Sequence, residues 1–242
     1  MGLLELSRPV QFEPVGQVTT VFFDDKNQQV FSVRSGGATG VVIKSPHHTN
    51  VITYRIEDHG PIISIKLSPS LSVLSVQRSK QSVEFLNVAN LESEFSQAAR
   101  AKNSVILGFI WTSNTEVVFI TDHGIEIYSI SQEKKSTKYL RSSSMNINWY
   151  CYSPTNHYFV TSTKAETSQL QVWAIRNSTP YKLGMVELDN IEVKDRDVSF
   201  MNLYGQIFLR VNINHIEDEC SILKEIQLYC VQNDQVLVVS LS

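Results

Sequence analysis

Cysteine is scarce in this sequence, and its scarcity limits the compartments in which the protein can work. The chain has three cysteines among 242 residues, Cys151, Cys220 and Cys230. An odd and sparse set argues against a disulfide framework and favours a reducing compartment. Cys220 and Cys230 bracket a polar loop and could meet across a hairpin, but ordinary buried thiols are the simpler interpretation.

Long apolar runs and a strong charge of either sign are also missing. No run approaches the roughly 18 apolar residues of a membrane span, and no basic segment followed by an apolar stretch marks a secretory signal. The net charge is -3 and charged residues make up 19% of the chain. Such a balance produces no long-range field for nucleic acid or anionic lipid. We therefore expect a cytosolic protein with no transmembrane segment and no nucleic-acid partner.

Catalytic and metal-binding motifs are absent as well. The chain has no Cys-x-x-Cys, His-Glu-x-x-His, Gly-x-Ser-x-Gly or EF-hand pattern. His47 and His48 are adjacent, so on an extended chain they point to opposite faces, and a solvated pair is favoured over a metal site. Asp122-His123-Gly124 has the composition of a tight turn with exposed side chains. A catalytic Asp–His pair there would need a nucleophile that the sequence does not identify. We predict no catalytic residue, no metal and no cofactor.

Strand signals dominate what is present, and they repeat. Four segments share one plan of apolar strand, polar turn and second apolar strand: "VFFDDKNQQVFSV", "IKLSPSLSVLSV", "FIWTSNTEVVFI" and "WYCYSPTNHYFV". Their anchors before the turn are Phe23, Leu67, Trp111 and Tyr152, which recur about every 40–45 residues, and a third strand follows each pair. A sheet of this size cannot bury its apolar side alone, whereas stacked sheets bury each other's faces. The repeat therefore predicts the blades of a β-propeller.

The details indicate a degenerate WD-like propeller. The turns "LSPS" and "YSPTN" resemble the first hairpin turn of WD-repeat blades, and Trp173 stands where such blades often carry tryptophan. However, the aspartate after that tryptophan and the Gly-His pair near the blade start are absent. We predict an all-β fold of about five blades in residues 18–242, with starts near residues 18, 61, 105, 147 and 197, after an N-terminal segment 1–17.

Two features of this organisation stay open. The segment from Leu91 to Asn103 has helical propensity, but its length also suits an outer strand plus a connection. The last stretch, "QVLVVSLS", stops in a strand pattern without a closing turn, and most propellers have more than five blades. We expect the chain to be part of a larger propeller, truncated at its C-terminus.

The glycines of "VRSGGATGVVIK" invite a comparison with phosphate-binding loops. A Walker loop needs Lys and Ser or Thr directly after its last glycine and then a helix, whereas Val41 and Val42 follow here and a strand comes next. A dinucleotide site also needs a helix N-terminus. We predict that Gly36, Gly37 and Gly40 instead permit positive φ in a hairpin connection.

The strongest basic run lies in "SQEKKSTKYLRSSS", with Lys134, Lys135, Lys138 and Arg141. Basic residues clustered with aromatics would be needed for nucleic-acid binding. We interpret the run as a solvated connection between blades. The alternative is an edge that binds a protein or an acidic lipid.

Several long motifs together resemble one known family. The segments "RPVQFEPV", "VFFDDKNQQVFSVRSGGATGVVIK", "ILGFIWTSNTEVVFITDHGIEIY" and "INWYCYSP" are similar to the N-terminal region of the metazoan Bulli/Mic-one family, from about Ser7 to Pro154, with the resemblance fading beyond. That family is the regulator of the Mon–Ccz complex, the guanine nucleotide exchange factor for the late-endosomal Rab GTPase. The resemblance implies an N-terminal propeller, a C-terminal helical region and a non-catalytic subunit.

The function that the resemblance implies is a scaffold bound to the Mon–Ccz heterodimer, and indirectly to the Rab GTPase. It would support Rab activation, endosome maturation and autophagy, in the cytoplasm and peripherally on late endosomes and lysosomes through its partners. One alternative is a propeller enzyme with its active site in a central channel. Another is a WD-like adaptor in a different trafficking complex.

Overall fold

Strands make up nearly all of the regular structure. The computed structural model describes residues 18–24, 29–34, 39–45, 48–56, 60–90, 93–131, 133–153, 157–163, 168–188, 191, 193–218, 221–232 and 235–239. A single 3-10 turn, Asp195–Asp197, accompanies the strands in these residues. The chain divides into two units, residues 1–61 and residues 62–242.

Twenty strands form five sheets, each of four strands that are antiparallel and follow one another in chain order. The first sheet contains β1 (Val18–Asp24), β2 (Gln29–Arg34), β3 (Thr39–Ser45) and β4 (His48–Ile56), and the second contains β5 (Ser64–Leu67), β6 (Val73–Gln77), β7 (Ser82–Asn87) and β8 (Ser93–Ala98). The third sheet contains β9 (Ile106–Ser113), β10 (Glu116–Thr121), β11 (Gly124–Ser131) and β12 (Ser136–Ser144), and the fourth contains β13 (Ile147–Ser153), β14 (Tyr158–Thr163), β15 (Gln169–Arg176) and β16 (Thr179–Glu187). The fifth sheet contains β17 (Val198–Leu203), β18 (Gln206–Asp218), β19 (Ser221–Gln232) and β20 (Gln235–Val239).

The all-β prediction is confirmed, and one open alternative is resolved. The segment with helical propensity contains strand β8, which pairs with β7 in the second sheet. In this strand, Phe95 to Ala98 alternate between partly buried and exposed positions, and Phe95 stacks on Phe85 at a centroid distance of 5.1 Å. Packing against the sheet therefore overrides the local helical preference.

The unit of residues 1–61 contains the first sheet. Strands β2 and β3 pair antiparallel on either side of the glycine stretch, so the stretch joins two neighbouring strands. Gly40 lies inside β3, opposite Arg55, while Gly36 and Gly37 lie outside the described residues. Phe23 lies in β1, opposite Val30.

Short polar turns connect the strands of the second unit. In the turn between β5 and β6, Ser68 accepts the N–H of Val73 on its side chain (3.1 Å) and the N–H of Leu71 on its backbone oxygen (2.9 Å). This is the local hydrogen bonding for which serine is selected in turns. The turn between β17 and β18 uses Tyr204 and Gly205, both at positive φ, which is the geometry of a tight hairpin.

Within residues 62–242, consecutive sheets bury their faces against each other. One core cluster joins the second and third sheets, a second joins the third and fourth, and a third joins the fourth and fifth. Both faces of the third sheet are therefore covered, which explains why β10 reads as the almost continuous apolar run "EVVFIT" rather than as an alternating pattern.

The predicted anchors occupy equivalent places in these sheets. Leu67 lies in β5, Trp111 in β9 and Tyr152 in β13, each on the first strand of its sheet, and Leu67 and Trp111 are buried. Trp173 lies in β15, where its indole N–H donates to Thr161 on the adjacent strand at 3.2 Å. This bond fixes the third strand of the fourth sheet to the second.

Candidate interaction surface

The two-residue turn between β10 and β11 forms hydrogen bonds with the segment before β9 and with the first residue of β13. Asp122 accepts the N–H of Val105 and the hydroxyl of Ser104 on Oδ1, both at 2.8 Å. Its backbone N–H donates to Val105, and its backbone oxygen accepts from Ile147, the first residue of the next sheet. The turn therefore acts as a structural clip.

Asp122 is not the exposed side chain that the sequence predicts. Its side chain is only 15% exposed, compared with 54% for His123, because it folds back onto the chain before β9. Partial burial opposes ionisation, but hydrogen bonds from His123, from the N–H of Val105 and from Ser104 outweigh it. They lower the pKa of Asp122 from its ordinary 3.8 to about 2.

These contacts do not form a catalytic triad. The hydroxyl of Ser104 and Nδ1 of His123 both bond the same oxygen of Asp122, so the hydroxyl is held by the carboxylate and not by the imidazole. Ser104 is also 1% exposed. A nucleophile must be activated by an adjacent base and reach a substrate. The arrangement is that of a clip and not of a hydrolase site.

Replacing Asp122 with asparagine should remove a pH-dependent part of the stability. Because the folded pKa is depressed, the carboxylate stabilises the fold fully above about pH 4 and loses this effect as the pH falls towards 2. We expect Asp122→Asn to cost about 1 kcal/mol at pH 7, since the group keeps some solvent contact, and less at pH 2.5. Urea denaturation followed by tryptophan fluorescence at both pH values measures this. Exposed Glu133→Gln is the control, and an unchanged pH slope in Asp122→Asn would contradict the clip.

The basic run occupies an outer strand and not a connection between sheets. Lys138 and Arg141 lie in β12, the outermost strand of the third sheet, while Lys134 and Lys135 lie in the turn before it. All four side chains are exposed. The sequence favoured a solvated connection over an edge because an outer strand has one solvated edge, and its polar composition resembles that of a loop.

A buried carboxylate lies between the second and third sheets, and the sequence did not identify it. Glu126 in β11 is 6% exposed. Its two oxygens accept the backbone N–H of Arg100 at 3.1 and 3.2 Å, and one of them also accepts the hydroxyl of Tyr128 at 2.5 Å. Burial, together with this carboxylate, raises the pKa of Tyr128 well above its ordinary value. The guanidinium of Arg100 lies 3.8 Å from the ring centroid of Tyr139 in β12. The only sequence signal was a charged residue within the apolar "GIEIYSI".

An open groove of about 500 Å³ lies where turns of the second and third sheets meet. Its lining consists mainly of hydroxyl and amide side chains with one carboxylate: Ser70, Ser72, Asn114, Thr115, Ser129, Ser131 and Glu133. Among its described lining residues, no histidine, cysteine or lysine could serve as a base or nucleophile beside a hydroxyl. The groove therefore offers hydrogen bonds but no visible chemistry.

The remaining candidates lie partly outside the described residues. His47 and Cys220 are outside them, while His48 begins β4. Cys151 lies in β13, where its thiol donates to the backbone oxygen of Val198 at 3.5 Å, and Cys230 lies in β19. In the part of the chain that the structure describes, no group of three or more His, Cys, Asp or Glu side chains could hold a metal ion. Among the same residues, no helix is long and apolar enough to cross a membrane.

Solved structures share the fold of this chain. The WD40 domain of SCAP from fission yeast superposes with a TM-score of 0.62 at 16% identity, over 94% of this chain and 57% of that one. The β-propeller domain of Cps50 (Swd1) from Myceliophteria thermophila gives 0.51 at 12% identity, over 96% and 88%. Identities this low show the fold alone, which is that of a WD-like β-propeller.

Curated relatives are much closer in sequence. The mouse and human proteins named "Regulator of MON1-CCZ1 complex" are each 42% identical over 237 residues, covering 93% of this chain. A "Regulator of MON1-CCZ1 complex homolog" from Dictyostelium discoideum is 28% identical over 185 residues, 75% of this chain and 18% of its own length, so the similarity is not restricted to animals. The chain spans 36% of the length of the mouse and human relatives. The aligned region of 237 residues continues beyond Pro154.

A family description fits the same assignment. The family "Regulator of MON1-CCZ1 complex, N-terminal" matches residues 21–137, which run from within β1 to the start of β12. The chain belongs to the family of regulators of the MON1-CCZ1 complex, and residues 21–137 correspond to its N-terminal region.

Proposed function

We propose that this chain is a non-catalytic scaffold that binds the MON1-CCZ1 heterodimer through its propeller blades. The observation that carries the proposal is the 42% identity, over 93% of the chain, to proteins named as regulators of that complex. The chain covers about a third of those relatives, so the activity of the whole protein is part of the proposal.

The structure supports a scaffold in two ways. The sheets of residues 62–242 bury continuous apolar clusters between them, so their outer strands and turns are held on a rigid framework suited to presenting contacts. The Asp–His pair that most resembled a catalytic feature is part of a structural clip. Neither observation requires this subunit to touch a nucleotide.

In this proposal the heterodimer carries out nucleotide exchange on a late-endosomal Rab GTPase, and this subunit supports its assembly and its action on membranes. The chain would then be cytoplasmic and peripheral on late endosomes and lysosomes, held there through its partners. Endosome maturation and autophagy would depend on it indirectly, through the amount of active Rab.

The test compares exchange by the heterodimer with and without this chain, using a fluorescent nucleotide on the Rab GTPase in solution. We expect co-elution of the chain with the heterodimer and an exchange rate that changes less than about twofold, because a tether need not alter the chemical step. His123→Ala removes an exposed turn side chain and should leave the rate unchanged. A substitution here that abolished exchange while the complex stayed assembled would overturn the scaffold proposal, and so would a failure to co-elute.

A further inference from the structure

The charge of this chain is unevenly distributed, and positive side chains are concentrated in β12 and in the turn before it. The whole chain has a net charge of -3, yet no aspartate or glutamate occurs from Lys134 to Ala165. Lys134, Lys135, Lys138 and Arg141 fall within this stretch, and we call these four residues the β12 cationic edge. A local concentration of one sign indicates a surface suited to the opposite sign.

The strand itself has a free side. Strand β12 is nine residues long and, among the described strands, pairs only with β11, because the order of the sheet is β12-β11-β10-β9. Half of its backbone N–H and C=O groups therefore face away from the sheet. A row of such groups is a template on which another extended chain can pair.

Contacts on one face of β12 fix the direction of its cations. Thr137 donates to Gln97 of the second sheet, and Tyr139 lies under Arg100 and donates to Ser142 at 2.7 Å. These alternate residues belong to the face that meets the second sheet. These contacts of β12 with the second sheet are therefore made by its neutral side chains and by Arg100, and not by Lys138 or Arg141.

Lys138 and Arg141 lie on the other face. They stand opposite Ser129 and Ile127 of β11, and Ile127 belongs to the core shared with the fourth sheet. Strands β12 and β16 are neighbours, and Lys182 of β16 stands opposite Trp173, which belongs to the same core. Exposed cations on β12 and on β16 therefore lie on the faces by which the third and fourth sheets pack together.

These cations are not neutralised within the described chain. The ion pairs between described residues are Arg78 with Glu84 and His123 with Asp122, and neither includes the β12 cationic edge or Lys182. Lysine on an edge strand disfavours pairing with neutral or basic strands. The same charges favour a strand that carries carboxylates, which gives selectivity in addition to attraction.

We propose that β12 is a docking strand for an acidic, extended segment of a protein partner, which adds to its free edge as a fifth strand. Backbone hydrogen bonds would hold the segment, and carboxylates on alternate residues would meet Lys138 and Arg141. The row of unpaired backbone groups favours a peptide over a lipid surface, because an extended peptide can form a ladder of backbone hydrogen bonds with them and a lipid surface cannot. The inference goes beyond the proposed function, since it assigns a binding strand and a kind of partner segment without requiring that the partner be MON1-CCZ1.

The test uses a fluorescent peptide of about nine residues, matching the length of β12, in which glutamate alternates with threonine. Anisotropy measures its binding to the 242-residue chain. In one comparison peptide, lysine replaces glutamate. The other keeps the acidic sequence but carries N-methyl groups on alternate residues. The N-methylated peptide keeps the charge but cannot pair as a strand. Vesicles of phosphatidylcholine and phosphatidylserine provide the lipid arm.

The variant Lys138→Glu/Arg141→Glu should weaken binding of the acidic peptide about tenfold or more. The matched control is Lys80→Glu/Lys102→Glu, which makes the same charge change at exposed lysines elsewhere and should change the affinity less than about twofold. An unchanged melting temperature confirms that each variant is folded. Binding should also fall with added salt.

Several results would overturn the proposal. These are equal binding of the acidic and lysine peptides, equal loss in both charge-reversal variants, or binding to vesicles without binding to the peptide. Full binding of the N-methylated peptide would show that charge alone attracts it, and strand addition would then be wrong. None of these outcomes depends on MON1-CCZ1, so they are distinguishable from a failure of the scaffold proposal.

Discussion

Replacing Gly124 with alanine is expected to destabilise this chain by about 3–4 kcal/mol, a large effect for one methyl group. Gly124 begins β11 with a φ of +138°, a backbone conformation that is almost reserved for glycine. A Cβ atom there would also lie 2.0 Å from the backbone oxygen of Ser143, which cannot move without breaking the pairing of β11 with β12. Urea denaturation followed by tryptophan fluorescence measures the loss.

Gly205→Ala separates the clash from the backbone strain. Gly205 also has a positive φ, +84°, but nothing lies within 4 Å of the position that its Cβ would take. We therefore expect this variant to cost about 1 kcal/mol, the strain term alone. If the two alanine variants were equally stable, the close approach of Ser143 to Gly124 would be wrong.

Trp111→Ala should have the second large effect, about 3–5 kcal/mol. The indole is 2% exposed, packs edge-on against Phe85 of the second sheet at 6.1 Å, and donates its N–H to Ser75 at 2.8 Å. The residue therefore joins the second and third sheets by both packing and a hydrogen bond. Its removal leaves a cavity in the cluster that these sheets share. Shifts of the denaturation midpoint provide the measurement.

A double-mutant cycle isolates the hydrogen bond in this contact. Trp111→Phe keeps an aromatic ring but leaves the hydroxyl of Ser75 without its indole donor, and Ser75→Ala removes the acceptor. We expect a coupling of about 1 kcal/mol between the two sites. Tyr181→Ala, at a half-exposed tyrosine of β16, is the control and should cost less than about 0.5 kcal/mol. A coupling near zero would mean that the bond contributes nothing to the stability.

The strands and their repeat were predictable because their signals are local. A hairpin needs only apolar segments around a turn former, and the anchors Leu67 and Trp111 recur at the spacing of one sheet. The resemblance to the regulator family was also carried by contiguous motifs. The hydrophobic pattern of "SEFSQA" was too short to exclude a helix, and only pairing with β7 decided it.

The contacts between sheets were not predictable from this single sequence. The bond from Trp111 to Ser75 spans 36 positions, that from Arg100 to Glu126 spans 26, and that from Cys151 to Val198 spans 47. No local pattern identifies a partner so far along the chain. The burial of Asp122 was missed for the same reason, because the atoms that it binds belong to the segment before β9.

The chain order of the strands also has a consequence for how the protein is made. Every sheet is assembled from strands that are consecutive in the sequence, with no crossover. Loop closure within a sheet therefore costs little entropy, although the pairing is entirely between β-strands. Each sheet can be completed once its last strand has left the ribosome, and within residues 62–242 the next sheet can then condense on its exposed face. Synthesis in the N- to C-terminal direction thus supplies an order of assembly.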